Sequence, residues 1–377
     1  MGIKDLRRFL KSKDVNCFFN LPLQQLKHTK MGIDTFNWIF TYLNPVIKRY
    51  LDGMTNILDP IDEEVLFEEL CDEFLKFNCL LLKHDITPVW VWDGVAKSCK
   101  SKTQDKRREI KKKMIEEKKL IYNVLVNMPL LERNGSDLLD KYRKLVINTQ
   151  YLPKKYFGKL KELSQEIGLP TITARDEAEA LASSLAIDGK IKSIWSSDTD
   201  TYAFGAPLIV KQFIHEDGTL KIESVYTPNI RESLEMDYHQ FRDFCILLGT
   251  DFNDRIYKMG PVNSFKLIKK YGNLETMERE HTADLTSLNY KYVRLQLTPY
   301  STEAVETDLS MKPIVVALDD AVKKTLGYDF DTLSYNDKMY VLKELVLHNK
   351  VIGYDFMKFK RIDEFLTKSL KFLKFLK

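Results

Sequence analysis

PVWVWDG, residues 88–94, is a short, continuously apolar stretch that closes with an acid and a glycine. Strands of a parallel sheet have this composition because helices cover both of their faces. HTKMGID (28–34) and IKSIWSS (191–197) are two further strand candidates, and each ends on or directly before an aspartate. Helical segments separate these strands along the chain. The alternation predicts an α/β fold with a central, mainly parallel sheet flanked by helices.

Apolar spacing and turn residues locate the other elements. Helices are predicted from Phe36 as far as Pro45, over 62–83 and over 153–167, and a hairpin should turn at Asp217-Gly218. The chain is thus divided into an N-terminal part of the core (1–96), a helical insertion (97–152), the rest of the core (153–280) with helices at 238–249 and 261–271, and a C-terminal helical extension (281–377) with helices near 312–325 and 336–349.

Seven carboxylates stand at predicted strand ends or helix starts: Asp34, Asp93, Glu177, Glu179, Asp198, Asp200 and Asp251. In open α/β sheets ligands bind beyond the carboxyl ends of the strands, so the topology gathers the aspartates that follow strands at one rim. Two carboxylates about 5 Å apart repel by roughly 3 kcal/mol at an effective dielectric near 20. Such a cluster needs raised pKa values or divalent cations, and oxygen ligands favour Mg²⁺ or Mn²⁺. This chemistry suits phosphodiester cleavage.

Each acid taken alone has a simpler explanation. Aspartate is common in turns, and acids favour the first turn of a helix because of the helix dipole. Glu177 and Glu179 would point about 200° apart on a regular helix, so both can face one site only if Glu177 lies in or before the opening turn. The interpretation as a single site depends on all seven acids together.

Charge is unevenly distributed along the 377 residues, although the net charge is only +4. Lys97 to Lys119 contains eleven Lys and Arg against four acids, which suits a polyanionic substrate but is also typical of a solvated helix face. Five cysteines without a CxxC pair argue against a disulfide framework and a zinc site. Without a long apolar run or a signal peptide, the protein is expected to be soluble and intracellular.

The motifs MGIKDL, VWDG, DEAEA, DTDTYAFG and FCILLGTDF occur in the order found in structure-specific 5′ nucleases, of which flap endonuclease is the type member. The chain resembles this family over roughly residues 1–275. The resemblance implies that the insertion is a helical arch and that residues 238–275 form a helix–two-turn–helix-like element. It also implies a two-metal site for Mg²⁺, with Mn²⁺ as a substitute, held by the seven acids.

Further site residues follow from the same resemblance. Lys100 and Arg107 fall where the family grips the scissile phosphate, Phe40 where an aromatic ring stacks on a nucleobase, and Gly2 where the processed N-terminus lies near the site. The other expected nucleic-acid contacts are Lys97, Lys106, Arg108, Lys111 and Gly260.

Two departures from the family pattern stand out. The loop YKMGPVNSFKLI has Lys258 where the family has a further glycine two residues before Gly260, in the loop with which the family holds potassium and duplex phosphates. RIDEFL (361–366) approaches a sliding-clamp-binding peptide but lacks its leading glutamine and paired aromatic residues. A clamp is therefore only a possible partner, and the chain is expected to be a monomer.

The sequence predicts a metal-dependent 5′ nuclease for flapped or branched DNA, with 5′→3′ exonuclease activity, in replication, repair or recombination. It should act in the nucleus or another site of DNA replication of a eukaryote, or in the cytoplasm otherwise. One alternative is a processive 5′→3′ exonuclease on DNA or RNA that uses the same acids. Another is a non-catalytic scaffold that binds nucleic acid, which the intact acids disfavour.

Overall fold

A computed structural model describes residues 2–95, 101–280, 284–299, 302, 308–312 and 334, and the side chains of 101–104 and 106 are excepted. Lys97, Lys100, the RIDEFL segment and the C-terminal tail lie outside the described residues. The helices predicted near 312–325, apart from Lys312, and near 336–349 lie outside them as well.

Seven strands form one sheet in the order β1-β7-β6-β5-β2-β3-β4. They are β1 Phe18–Pro22, β2 Thr29–Asp34, β3 Ile86–Trp92, β4 Thr171–Thr173, β5 Ser193–Trp195, β6 Leu208–Glu216 and β7 Thr219–Tyr226. The pairs β2–β3, β2–β5, β3–β4 and β5–β6 are parallel, and β1–β7 and β6–β7 are antiparallel. The prediction of a mainly parallel α/β sheet is confirmed.

Local chemistry explains the strands that the sequence located. Val89, Trp90 and Val91 of β3 are fully buried, as expected for a strand covered on both faces. The β6–β7 hairpin turns at Asp217 and Gly218, whose φ angles of 53° and 69° match a two-residue turn with both central residues in the left-handed region. Both predictions are confirmed. The segment IKSIWSS contributes a shorter strand than expected, because only Ser193–Trp195 form the strand β5.

Fourteen helices are defined in the described part of the chain. They are α1 Leu6–Ser12, α2 Thr35–Gly53, α3 Glu63–Lys83, α4 Ser101–Asn127, α5 Leu130–Arg133, α6 Asp137–Thr149, α7 Lys154–Glu166, α8 Ala178–Ile187, α9 Asp200–Phe204, α10 Thr227–Leu234, α11 Tyr238–Leu248, α12 Pro261–Tyr271, α13 Leu274–Glu280 and α14 Tyr290–Gln296. None of these described helices is long and apolar enough to cross a bilayer.

The helix that begins after Asp34 does not end at Pro45, so this prediction was wrong. α2 continues to Gly53 with Pro45 inside it. The proline removes one backbone donor and crowds the preceding turn. The second half of the helix nevertheless buries Val46, Ile47 and Leu51 almost completely, and this apolar contact holds the helix beyond the proline.

The chain divides into two compact units. The first unit combines Met1–Trp38, His84–Lys106 and Thr171–Leu309, and the second combines Ile39–Lys83, Arg107–Pro170 and Ser310–Lys377. In the first unit, α8 packs on β2, β3 and β5, and α11 packs on α12 and α14. In the second unit, Phe67 of α3 packs on Tyr156 of α7 with ring centroids 4.8 Å apart. The domain boundaries drawn from the sequence stay a prediction.

Candidate active site

All seven acids belong to the first unit, and each stands at an element end. Asp34 ends β2, Asp93 follows β3, Glu177 caps α8, Glu179 lies in its first turn, Asp198 follows β5, Asp200 begins α9 and Asp251 follows α11. β5, β2 and β3 are adjacent and parallel, so their carboxyl ends meet at one sheet edge. The aspartates that end or follow these three strands therefore lie at the same end of the sheet.

The carboxyl group of Asp34 is 7% exposed and lies among other negative charges. Its Oδ1 accepts a hydrogen bond from the Asn37 backbone N–H at 3.1 Å. Burial raises the pKa of Asp34 to about 7. The hydrogen bond from Asn37 lowers this pKa, whereas the negative charges of Asp93 and Asp198 raise it further. Asp34 is thus close enough to Asp93 and to Asp198 for like charges to repel, and a bound cation would relieve that repulsion.

Asp93 reaches the start of α8. Its Oδ1 accepts the backbone N–H of Ala178 at 2.8 Å, and the N–H of Gly94 donates to the carbonyl of Asp176 at 2.7 Å. A Cβ on Gly94 would lie 2.1 Å from the Ala174 carbonyl oxygen, so only glycine permits this close approach. The contact brings Asp93 beside the helix end that carries both glutamates.

Glu177 stands before the regular turns of α8, with extended angles of φ −105° and ψ 134°. Glu179 lies within the first turn and is 7% exposed. The divergence of about 200° expected on a regular helix therefore does not apply to this pair. Both glutamates can face one site only if Glu177 lies in or before the opening turn of α8, and the backbone meets this condition.

The loop after β5 packs tightly against the N-terminus. The backbone N–H of Asp200 donates to Asp198 Oδ1 at 3.1 Å, and the N–H of Ile3 donates to Thr199 Oγ1 at 2.8 Å. A Cβ on Gly2 would lie 2.0 Å from Asp198 Oδ1, and Gly2 has a φ of 83°. Glycine at position 2 is therefore required by both space and backbone angle.

Asp251 is connected to the same N-terminal segment. It follows α11 and is 8% exposed. Two residues earlier, the carbonyl of Gly249 accepts the backbone N–H of Lys4 at 3.1 Å. Residues 3 and 4 thus bind the Asp200 loop through Thr199 and the Asp251 loop through Gly249, which holds the two loops together across the first unit.

The donor set suits a hard divalent cation. Asp34, Asp198, Asp200 and Asp251 are each at most 8% exposed, and the chemistry they offer is carboxylate oxygen only. Among the described residues, however, no group of three or more His, Cys, Asp or Glu side chains is arranged to hold a metal ion. The proximity that the structure shows is that of Asp34 to Asp93 and Asp198.

Several of the other predicted contact residues belong to the second compact unit. Arg107 and Arg108 are exposed on α4, Lys111 has its Nζ 4.9 Å from the Tyr151 ring, and Phe40 on α2 is 53% exposed. These residues belong to the second unit. For Lys106 only the helical backbone is described.

Gly260 caps α12 in the first unit, and no atom lies within 4 Å of an added Cβ. Lys258 adopts a left-handed φ of 62°. Lysine thus stands here in a backbone conformation that favours glycine, the residue type of the family pattern.

Sequence reasoning missed the neutral residues that connect the acids. Asn37, Ser196 and Thr199 all hydrogen-bond within the acid-bearing loops. The available signal was the pair of serines between an apolar strand and the DTD motif, since short hydroxyl side chains favour bonds to nearby backbone. Their long-range partners could not be read from that signal.

Comparisons with known proteins agree on one family. The XPG N-terminal domain matches residues 1–114 and the XPG I-region matches residues 168–251, together more than half of the chain. Flap endonuclease 1 of Debaryomyces hansenii is 27% identical over 344 residues, which cover 88% of this chain and 86% of that protein. Flap endonuclease 1-2 of Paramecium tetraurelia is 31% identical over 275 residues, with 73% and 66% covered.

Among solved structures, the flap endonuclease-1 of Methanococcus jannaschii has a similar fold. Its TM-score is 0.54 at 22% identity, with 89% of this chain and 97% of that chain covered. The chain belongs to the XPG family of structure-specific 5′ nucleases, and to its flap endonuclease type. It is accordingly an enzyme that acts on phosphodiester bonds.

Proposed function

We propose that this enzyme is a divalent-metal-dependent nuclease that cuts branched DNA where a 5′ single strand meets a duplex. The observation that carries the proposal is the group of Asp34, Asp93 and Asp198 at one sheet edge, where burial and mutual repulsion raise the pKa of Asp34. A phosphodiester substrate brings further negative charge, so the site needs cations to work. Relatives named as flap endonucleases support the choice of substrate.

The seven acids would hold Mg²⁺ or Mn²⁺. Bound there, these ions would supply an activated water and would offset the charge on the leaving oxygen. The chain's own residues do the rest: Lys100 and Arg107 offset charge on the reacting phosphate, and Phe40 stacks on a base beside the cut. Gly2 keeps the N-terminus packed on Asp198 and so fixes the loop that carries it.

A cleavage assay on a 5′-labelled flap substrate tests this function. We expect release of a flap-length oligonucleotide in Mg²⁺ and none in EDTA. Mononucleotide products would indicate a processive exonuclease, and binding without any product would indicate a scaffold. Cleavage that proceeds fully in the chelator would contradict the metal requirement.

The roles of Lys100 and Arg107 have their own test. We expect Lys100→Ala and Arg107→Ala to lower the single-turnover rate far more than they weaken binding, because the cations act on charge that develops at the reacting phosphate. Lys112→Ala is the matched control, since Lys112 is exposed on α4, the helix that carries Arg107. A raised dissociation constant with an unchanged rate at saturation would show a general electrostatic role instead.

The proposed substrate also suggests where the enzyme works. A nuclease for branched DNA acts on replicating, repaired or recombining DNA, which in a eukaryote lies in the nucleus. We propose that it acts as a monomer, with a sliding clamp as a possible partner. Size-exclusion chromatography with and without a clamp tests both statements.

A further inference from the structure

Two acid-bearing segments begin where β2 and β5 stop pairing with each other. The β2–β5 ladder pairs Met31 with Ser193, Gly32 with Ile194 and Ile33 with Trp195, and it ends there. Asp34 is the next residue on one side, and Ser196, Ser197 and Asp198 follow on the other. Beyond the ladder, side chains must hold the two loops at a fixed separation.

The side-chain amide of Asn37 crosses this gap. Its Oδ1 accepts the backbone N–H of Ser197 at 3.0 Å and lies 3.2 Å from the Ser197 hydroxyl, while its Nδ2 donates to the same hydroxyl oxygen at 3.1 Å. The backbone N–H of Ser197 can only donate, so the amide atom that it contacts must be the acceptor Oδ1. Asn37 is 7% exposed, and its own backbone N–H donates to Asp34 Oδ1.

A second bridge runs beside the first. The hydroxyl of Ser196 lies 3.5 Å from Asp34 Oδ2, and its oxygen accepts the backbone N–H of Asp198 at 3.2 Å. Ser196 is fully buried. The residues that touch Asp34 are therefore the same ones that reach the loop of Asp198.

The charges on the two loops explain why neutral bridges matter. The charge of Asp198 acts on Asp34, and repulsion between two like charges favours separation of the segments that carry them. Amide and hydroxyl groups resist the separation without adding charge of either sign. Residues that hold ligands in this way commonly set the affinity of a metal site.

We propose that Asn37 and Ser197 are positioning residues, which hold Asp34 and Asp198 at the separation where both can ligate one divalent cation. This inference rests on the proposed metal-dependent function. Asn37 is the stronger of the two because it is buried and binds both the backbone and the hydroxyl of Ser197. Ser197 is exposed, so water replaces part of its hydroxyl contact.

The test is Mn²⁺ binding to the DNA-free protein. Binding is measured as the decrease in the electron paramagnetic resonance signal of free Mn²⁺. Asn37→Ala should weaken Mn²⁺ binding by roughly tenfold. Ser197→Ala keeps the backbone N–H and should weaken it by at least about twofold, the loss expected for one modest hydrogen bond. Ser197→Thr keeps the hydroxyl and should match the wild type.

Controls separate positioning from a loss of stability. Asn78→Ala removes another buried amide, which donates to the Phe74 carbonyl within α3, and should leave Mn²⁺ binding unchanged. In Asn37→Ala the dissociation constant for flap DNA in EDTA should stay constant, while the single-turnover rate at limiting Mg²⁺ falls and partly recovers at high Mg²⁺.

Two outcomes overturn the inference. One is a folded Asn37→Ala variant that binds Mn²⁺ as tightly as the wild type. The other is Ser197→Thr with the same loss as Ser197→Ala, and this comparison remains valid if Asn37→Ala does not fold. A wild-type protein that binds no Mn²⁺ and cleaves equally in EDTA overturns the proposed function itself, which distinguishes the two failures.

Discussion

Buried aspartates make the site sensitive to single charges. Asp34 feels both Asp93 and Asp198, and burial keeps water from screening them. An aspartate exchanged for asparagine keeps its shape and an acceptor oxygen but loses the charge that attracts a cation. Such a change separates the need for charge from the need for shape.

We expect Asp198→Asn and Asp251→Asn to slow flap cleavage by at least about 10²-fold while the fold is kept. In the first variant, the amide oxygen of the new side chain can still accept the backbone N–H of Asp200, as Asp198 does at 3.1 Å. Removing one like charge also relieves repulsion, so the thermal midpoint without metal should not fall. Single-turnover kinetics and thermal unfolding in EDTA measure both effects, and a lower midpoint would show that the carboxylates stabilise the apo fold.

Lys258 stores strain in the loop before α12. A non-glycine residue in the left-handed region costs roughly 1–2 kcal/mol, and Lys258 has a φ of 62°. Lys258→Gly should therefore leave the free energy of unfolding unchanged or raise it by up to about 1 kcal/mol. Lys266→Gly, at an exposed position inside α12, should lower it by about 1 kcal/mol. Urea unfolding compares the two, and equal losses would show that Lys258 carries no strain.

Among the helices, α2 combines a site role with a local flaw. Its first turn contacts two strands: Thr35 donates to the Val91 carbonyl of β3 at 2.8 Å, and Asn37 bonds the loop after β5. Its middle contains Pro45, which is exposed and cannot donate to the preceding turn. Pro45 lies away from the first turn of α2, in which the backbone N–H of Asn37 donates to Asp34.

Pro45→Ala should raise the free energy of unfolding, by at most about 3 kcal/mol, because alanine restores a backbone donor and removes the ring clash. Flap cleavage should stay at the wild-type rate, since the first turn of α2 is unaltered. Thermal unfolding and the flap assay test this pair of outcomes. A destabilised variant would mean that a bend at Pro45 is needed to bury Val46 and Ile47.

Over the whole molecule, the seven acids and the basic helix α4 are divided between the two compact units. The acids all belong to the first unit, whereas Arg107, Arg108 and Lys111 belong to the second. Exposed cations on a helix suit a single-stranded phosphate backbone and make binding depend on salt. The arch predicted for 97–152 would admit a single strand but not a duplex, which is wider and stiffer.

We therefore predict that the 5′ end must be threaded. A bulky block on the 5′ end should suppress cleavage when it is added before the enzyme and have little effect when it is added after the enzyme has bound. The control is a flap whose 5′ end cannot bind the blocking group, mixed with the same blocking group in solution. Equal cleavage of blocked and free flaps would indicate an open groove instead of an arch.

Elements that form through interactions among neighbouring residues could be predicted from the amino-acid order alone. The apolar run of β3, the turn at Asp217-Gly218 and the buried stripe of α3 all follow from residues a few positions apart, and each was predicted. The motif order also indicated the family. Pro45 misled the prediction because local propensity alone ends a helix there, while burial farther along α2 sustains it.

Contacts between residues far apart in sequence became visible only in the folded chain. Ile3 and Thr199 bond over 196 positions of sequence, and Asn37 and Ser197 over 160. Nothing in the local sequence encodes such partners, since their meeting depends on β5 lying beside β2 in the sheet. The carboxylates could be predicted from the sequence because metal-binding chemistry belongs to their residue type. The neutral residues proposed to position them could not be predicted, because that role depends on contacts that the fold creates.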